Sequence, residues 1–189
     1  MAADRALQEL GRGDWVALGA KILRQEGPSA LTVDRLTRGE GRPEETLRVH
    51  FRGIGSLILA IAQHWSDSEG RIVAQCANAP GTSLERLWAV LAQTGADDPQ
   101  LERGVRALAA DYLEIGELVR TADDRREKVL TGLIAESYGL DGMEATHYAR
   151  LFQALHIATL GRAPGEIVSY VSGPVRALTA LLDSNFPTG

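Results

Sequence analysis

Five arginines crowd residues 35–52 of this 189-residue chain: Arg35, Arg38, Arg42, Arg48 and Arg52. Guanidinium groups suit phosphate oxygens and the O6/N7 edge of guanine, which they hold as planar, two-pronged donors. Two adjacent carboxylates, Glu44 and Glu45, open the last helical part of "TRGEGRPEETLRVHF", Thr37 to Phe51. A carboxylate accepts from the amino group of cytosine but repels phosphate, so this stretch both invites and opposes a polyanion. Arg42, Arg48 and Arg52 are six and four residues apart and cannot share one helical stripe. Arg48 lies four residues after Glu44, which makes an intrahelical ion pair of about 0.2–0.5 kcal/mol available.

Other reactive side chains point to no catalysis. Cys76 stands alone, which excludes an internal disulfide and a multi-cysteine zinc site; it reads as a small buried apolar group. His64, His147 and His156 lack carboxylate or histidine partners at ligand spacing, so no metal is expected. "GRGDWV", "GEG" and "GIG" follow no strand and are not phosphate loops. Ser137 in "ESYG" lacks the strand-turn-helix context of a nucleophile elbow. Without a base, nucleophile or metal constellation, neither an enzyme nor a cofactor is expected.

These residues need elements to hold them, and helical periodicity runs almost throughout. In "DWVALGAKILRQEG", Trp15, Leu18, Ile22 and Leu23 share a face, with Asp14 as N-cap and Gly27-Pro28 as the stop. "LTVDRLTRGEG" offers Thr32 as N-cap, with Val33 and Leu36 inward and closure at Gly39 or Gly41. Pro43 suits a first helical position, and Leu47 and Phe51 form the buried side of the helix it opens. Three helices of about eleven, seven and eight residues with tight glycine turns make a helix-turn-helix unit.

From Ser56 a long apolar pattern runs through Leu57, Ile61, His64, Trp65, Ile72 and Cys76. "APGT" breaks it, and Thr82 or Ser83 caps the next helix. After "ADDP", the stretch from Leu101 to Gly139 holds two or three helices, and two more finish the chain. Gly173-Pro174 predicts a kink or restart in the last. No alternating β-branched run is long enough for a sheet, so the fold class is all-α.

"YARLFQALHIATL" and "IVSY…VRALTALL" are apolar on more than one face, which suits a homodimer through the last two helices. No apolar run reaches a membrane span, and the start "MAADRALQELGRGDW" lacks a leader core, so a cytoplasmic location is expected. Net charge is −5, which opposes general affinity for nucleic acid. Residues 1–56 carry nine Arg/Lys against eight Asp/Glu, or +1; the remainder carries eleven against seventeen, or −6. A near-neutral head on an acidic body fits a DNA-binding head joined to a body with another task.

In this order the pieces resemble the tetracycline-repressor (TetR) family, in the branch whose first helix opens on tryptophan. The resemblance spans Gly13 to Gly161: "GDWVALGAKILRQEGPSALTVDRL", Gly41, His50-Phe51 and "SLILAIAQHW", then "LERGVRALAADYLEIGELVRTADDRREKVL" and "YGLDGMEATHYARLFQALHIATLG". It implies a three-helix DNA-binding head, residues 1–55, on a helical ligand-binding and dimerisation domain, residues 56–189. The implied DNA-facing residues are Thr32, Arg42, Glu44, Thr46, Arg48, His50 and Arg52. The family pattern is broken where DNA would lie: Pro43 replaces a small hydroxyl cap, Glu45 a glycine, Arg48 a tyrosine that touches the backbone, and Ile54 a Lys or Arg.

Two readings stay open. Arg48 can reach a phosphate or guanine edge while Glu44 or Glu45 accepts from cytosine; or Glu44 and Arg48 pair on a solvated face and the head has lost its operator. The resemblance also implies a cavity in the body, where a small ligand alters the spacing of two heads that must lie about 34–36 Å apart on DNA. Candidate lining residues are Trp65, Trp88, Tyr112, Phe152 and His156, for an apolar or weakly polar ligand.

Overall fold

The computed structural model describes residues 11–37, 43–93, 98–162 and 164–186, and every element among them is helical. In chain order these are α1 (Arg12–Glu26), α2 (Val33–Thr37), α3 (Glu44–His50), α4 (Ile54–Ala77), α5 (Ser83–Gln93), α6 (Pro99–Leu108), α7 (Leu113–Tyr138), α8 (Gly142–Thr159) and α9 (Pro164–Asn185), with a short 3-10 turn at Pro28–Ala30. Among the described residues no helix is long and apolar enough to cross a membrane, and no cluster of metal-ligating side chains forms.

Helix α1 starts three residues before the sequence expectation. Asp14 is not its N-cap; Gly11 is, and the Asp14 carboxylate reaches back to accept from the Gly11 N–H at 2.9 Å. A carboxylate in the first turn satisfies an otherwise unbonded amide and faces the positive end of the helix, so the additional residues remain helical. The helix ends as expected at Gly27, whose φ of +83° suits a residue without Cβ and whose N–H donates to the Leu23 carbonyl. Trp15, Ile22 and Leu23 are buried, while Leu18 lies half-buried at the edge of the face.

Thr32 caps α2 through its Oγ1, which accepts from the Arg35 N–H at 3.2 Å. Pro43 is the N-cap of α3, one position before its expected place, with extended ψ of 141°. Its fixed φ fits either position, and its free carbonyl accepts from both the N–H and the hydroxyl of Thr46. Arg38, Gly39, Gly41 and Arg42 lie outside the described residues.

The chain groups into two compact units. The first comprises Met1–Ser66 with Gln100–Val119. Its core includes Trp15, Leu36, Leu47, Phe51, Leu57, Ile61 and Val105, all buried. Here α6 comes close to α1: a Cβ on Gly104 would lie 2.6 Å from Leu23 Cγ, so only glycine permits this approach.

The second unit comprises Asp67–Pro99 with Arg120–Gly189. Its core is built on Leu87, Val90, Leu130, Ile134, Phe152 and Leu182, with Cys76 half-buried against it. Thr82 and Glu85 form a reciprocal cap on α5, as Thr82 was expected to, and the Thr82 N–H holds the Glu85 carboxyl below the usual carboxylate range. Helix α9 runs through Gly173-Pro174 without the expected restart. The residue before a proline is driven from helical geometry in part by its Cβ, and Gly173 has none.

Candidate nucleic-acid interface

Helix α3 buries one side and exposes the other. Leu47 and Phe51 are 2% and 3% exposed and fix the helix to its unit; Glu45, Arg48 and Val49, at i, i+3 and i+4, point to solvent. Thr46 and His50 are half-buried on the flanks, and Arg52 is exposed just beyond the helix end. Thr32 is exposed at the start of α2, its hydroxyl engaged in capping. Arg42 lies outside the described residues.

Two guanidinium groups already have carboxylate partners. Arg48 donates to Glu44 across one helical turn, with Nη2 2.7 Å from Oε1. The side chains are 70% and 44% exposed, so the pair contributes only about tenths of a kcal/mol and opens readily for a competing anion. Arg35 straddles both oxygens of Glu26 at the end of α1, with Nη2 2.6 Å from Oε1. The hydrogen bonds from Arg35 hold the Glu26 carboxyl below its ordinary value. Arg35 thereby ties α2 to α1 and takes a structural role among the arginines counted from sequence.

A contact absent from the sequence reading supports the end of α3. The Arg12 guanidinium lies over the Phe51 ring, 5.1 Å from its centroid, a cation–π geometry that places another cation beside the helix. Sequence spacing gave no hint of it, because thirty-nine residues separate the partners.

Among the five ligand candidates, Trp65 and Tyr112 belong to the first unit, Trp88, Phe152 and His156 to the second. Phe152 and His156 are 2% exposed, whereas Trp88 is 39% exposed. A cleft of about 380 Å³ does open within the first unit, but it is lined by Leu23, Arg24, Pro28, Gln100, Arg103 and their neighbours, with none of the five candidates.

The interior of the second unit is more polar than the apolar periodicity suggested. Glu69 and Arg126, both about nine-tenths buried, pair at 2.9 Å, with Arg125 3.6 Å away. On α8, buried Gln153 donates to Asp123 at 2.7 Å, one turn from His156. Gly70 leaves room for Arg125, whose guanidinium occupies the space a Cβ would fill.

This arrangement, a short helix pair presenting an arginine-bearing face ahead of a longer helical body, is the fold of TetR-type transcriptional regulators. No family sequence model and no curated protein matches the chain. Among solved structures it is similar to Escherichia coli NemR in its reduced form, with TM-score 0.69, 15% identity, and 94% of this chain and 98% of that one covered. A TetR/AcrR-family regulator from Thermobifida fusca superposes with TM-score 0.67 at 18% identity, over 88% and 95%. The ketosteroid transcriptional regulator KstR2 of Mycobacterium tuberculosis does so with TM-score 0.63 at 18% identity, over 92% and 93%.

Proposed function

We propose that this chain is a homodimeric, DNA-binding transcriptional regulator, a repressor that a small ligand releases from its operator. The observation that carries the reading is the outward face of α3, with Glu45, Arg48 and Val49 exposed over a buried Leu47 and Phe51. Residues 1–55 act as the head, and 56–189 as the ligand-binding and dimerising body. Arg48 leaves Glu44 for a phosphate or guanine edge, and the freed carboxylate or Glu45 accepts from cytosine, each good pair discriminating by about 1–3 kcal/mol. Thr32, Arg42, Thr46, His50 and Arg52 position the helix on the backbone.

The body binds a small, weakly polar ligand, for which Trp65, Trp88, Tyr112, Phe152 and His156 are the lining candidates. Such a ligand acts by preferring one spacing of the two heads, by as much as its affinity differs between them. The dimer forms through α8 and α9, whose exposed Met143, Leu151, Ile157 and Leu181 suit a second copy. The reading assigns no catalytic residue, metal, cofactor or membrane partner.

A second reading is favoured by one observation: Arg48 and Arg35 both spend donors on carboxylates of their own chain. In that reading the head is degenerate, and the chain is a ligand-binding or heterodimerising homologue. Binding to the duplex upstream of its own gene, against an unrelated duplex over a salt series, separates the two. Saturable, selective binding weakened by Arg48→Ala supports the repressor; equal, weak binding to both duplexes overturns it.

A further inference from the structure

Val49 is 78% exposed, more than any other exposed large apolar side chain among the described residues. A single exposed apolar residue is ordinary on a protein surface. Its place is not. Val49 sits on the outward face of α3, next to Arg48 and one turn after Glu45, both exposed. Valine is a poor helix former because its branched Cβ crowds the preceding turn, and here burial returns almost nothing for that cost. The opposite face already anchors the helix through Leu47 and Phe51. Among the described residues, no packing therefore accounts for a branched apolar group at this position.

The major groove offers one methyl group on its base edges, the 5-methyl of thymine, and apolar side chains are its complement. The neighbouring guanidinium of Arg48 draws the face to DNA, since Arg48 is 70% exposed and held only by a solvated pair. We infer that Val49 is a specificity residue that packs on a thymine 5-methyl in each half-site. This deepens the regulator reading and rests on it. It adds the base class that charge alone cannot select: Glu45 and Arg48 discriminate by hydrogen bonding, Val49 by excluding water from a methyl.

The test uses the full chain. Its preferred duplex is selected from a random-sequence library, and each thymine of one half-site is replaced in turn by deoxyuridine, which lacks the methyl but keeps pairing. Affinities are measured for the wild type and for Val49→Ala, an exposed change to a better helix former that leaves the fold intact. At one position deoxyuridine weakens wild-type binding about three- to fivefold, the size of one buried methyl group. Val49→Ala shows the same loss on the thymine duplex and no further loss on the deoxyuridine duplex. Deoxyuridine effects that persist undiminished in Val49→Ala, or none at any position, overturn the assignment while leaving the regulator reading standing. Failure to enrich any sequence overturns the regulator reading, and the assignment falls with it.

Discussion

Arg48 donates through Nε, at 3.0 Å, and Nη2, at 2.7 Å, to a single oxygen of Glu44 one turn earlier on α3. The geometry makes Glu44 a competitor for whatever anion Arg48 would otherwise hold. Glu44→Gln frees the guanidinium and costs the helix at most about 0.5 kcal/mol. Nonspecific DNA binding should tighten, and the log–log salt dependence should steepen by about 0.9 as one more phosphate is neutralised. Fluorescence anisotropy with an arbitrary duplex at several salt concentrations reads both; an unchanged slope would show that Arg48 lies away from the backbone.

Glu69 and Arg126 form a buried pair between α4 and α7, 2.9 Å apart. Removing one partner strands the other charge away from water, which typically costs about 3–5 kcal/mol. Glu69→Ala should therefore shift the urea midpoint of unfolding sharply down. Replacing both, as Glu69→Leu with Arg126→Met, should recover most of the loss, because neither charge remains to be desolvated. If the double variant is as unstable as the single one, the pair's hydrogen-bond geometry rather than its desolvation sets the cost.

The Tyr138 hydroxyl donates to Asp183 at 2.9 Å, tying α7 to α9. Burial, and then the Asp183 carboxylate, push the phenol up from 10.0 to about 12. Between those values the unfolded chain has released a proton that the folded chain keeps, so rising pH favours unfolding. The contribution is complete below pH 10 and is lost on rising through about 12. Tyr138→Phe should flatten this alkaline limb in denaturation curves collected from pH 9 to 12, with its stability deficit greatest at the neutral end; parallel curves for the two proteins would contradict the assignment.

Leu151 and Ile157 on α8 are 52% and 43% exposed, and Leu181 on α9 is 55% exposed. Burying such side chains stabilises an interface by about 25 cal/mol per Å² of apolar surface, whereas a carboxylate there would be desolvated without a partner. Leu151→Glu with Ile157→Glu should convert a dimer into a monomer in sedimentation equilibrium while the helical circular-dichroism signal persists. Retention of the dimer would place the interface elsewhere.

Helix limits were legible where the signal acts within a turn or so. Gly27 as a stop, Thr32 and Thr82 as caps, and Leu47 with Phe51 as an anchoring face all stand as their residue types dictate. The misplaced limits lie at Asp14, which reaches back to Gly11 from inside the first turn, and at Pro43, whose fixed φ fits the N-cap and the first position alike. At Pro174 the sequence left a kink or a restart open, and the helix runs on, where Gly173 has no Cβ to meet the proline ring. The candidate interface was half legible. The residues and the Glu44–Arg48 pairing follow from spacing along one helix, but Val49 passed unnoticed because exposure, unlike charge, has no letter in the sequence.

By itself the amino-acid order determined that the chain is helical, where most helices begin and end, and which faces are apolar, because caps, turns and 3.6-residue periodicity are short-range effects. Only the tertiary structure decided which groups meet from one helix to another. It gave Arg35 to Glu26, laid Arg12 on Phe51, buried Glu69 with Arg126 and brought α6 against α1 at Gly104. An arginine has several carboxylates within sequence reach and equal intrinsic affinity for each; packing of the backbone settles which one it meets.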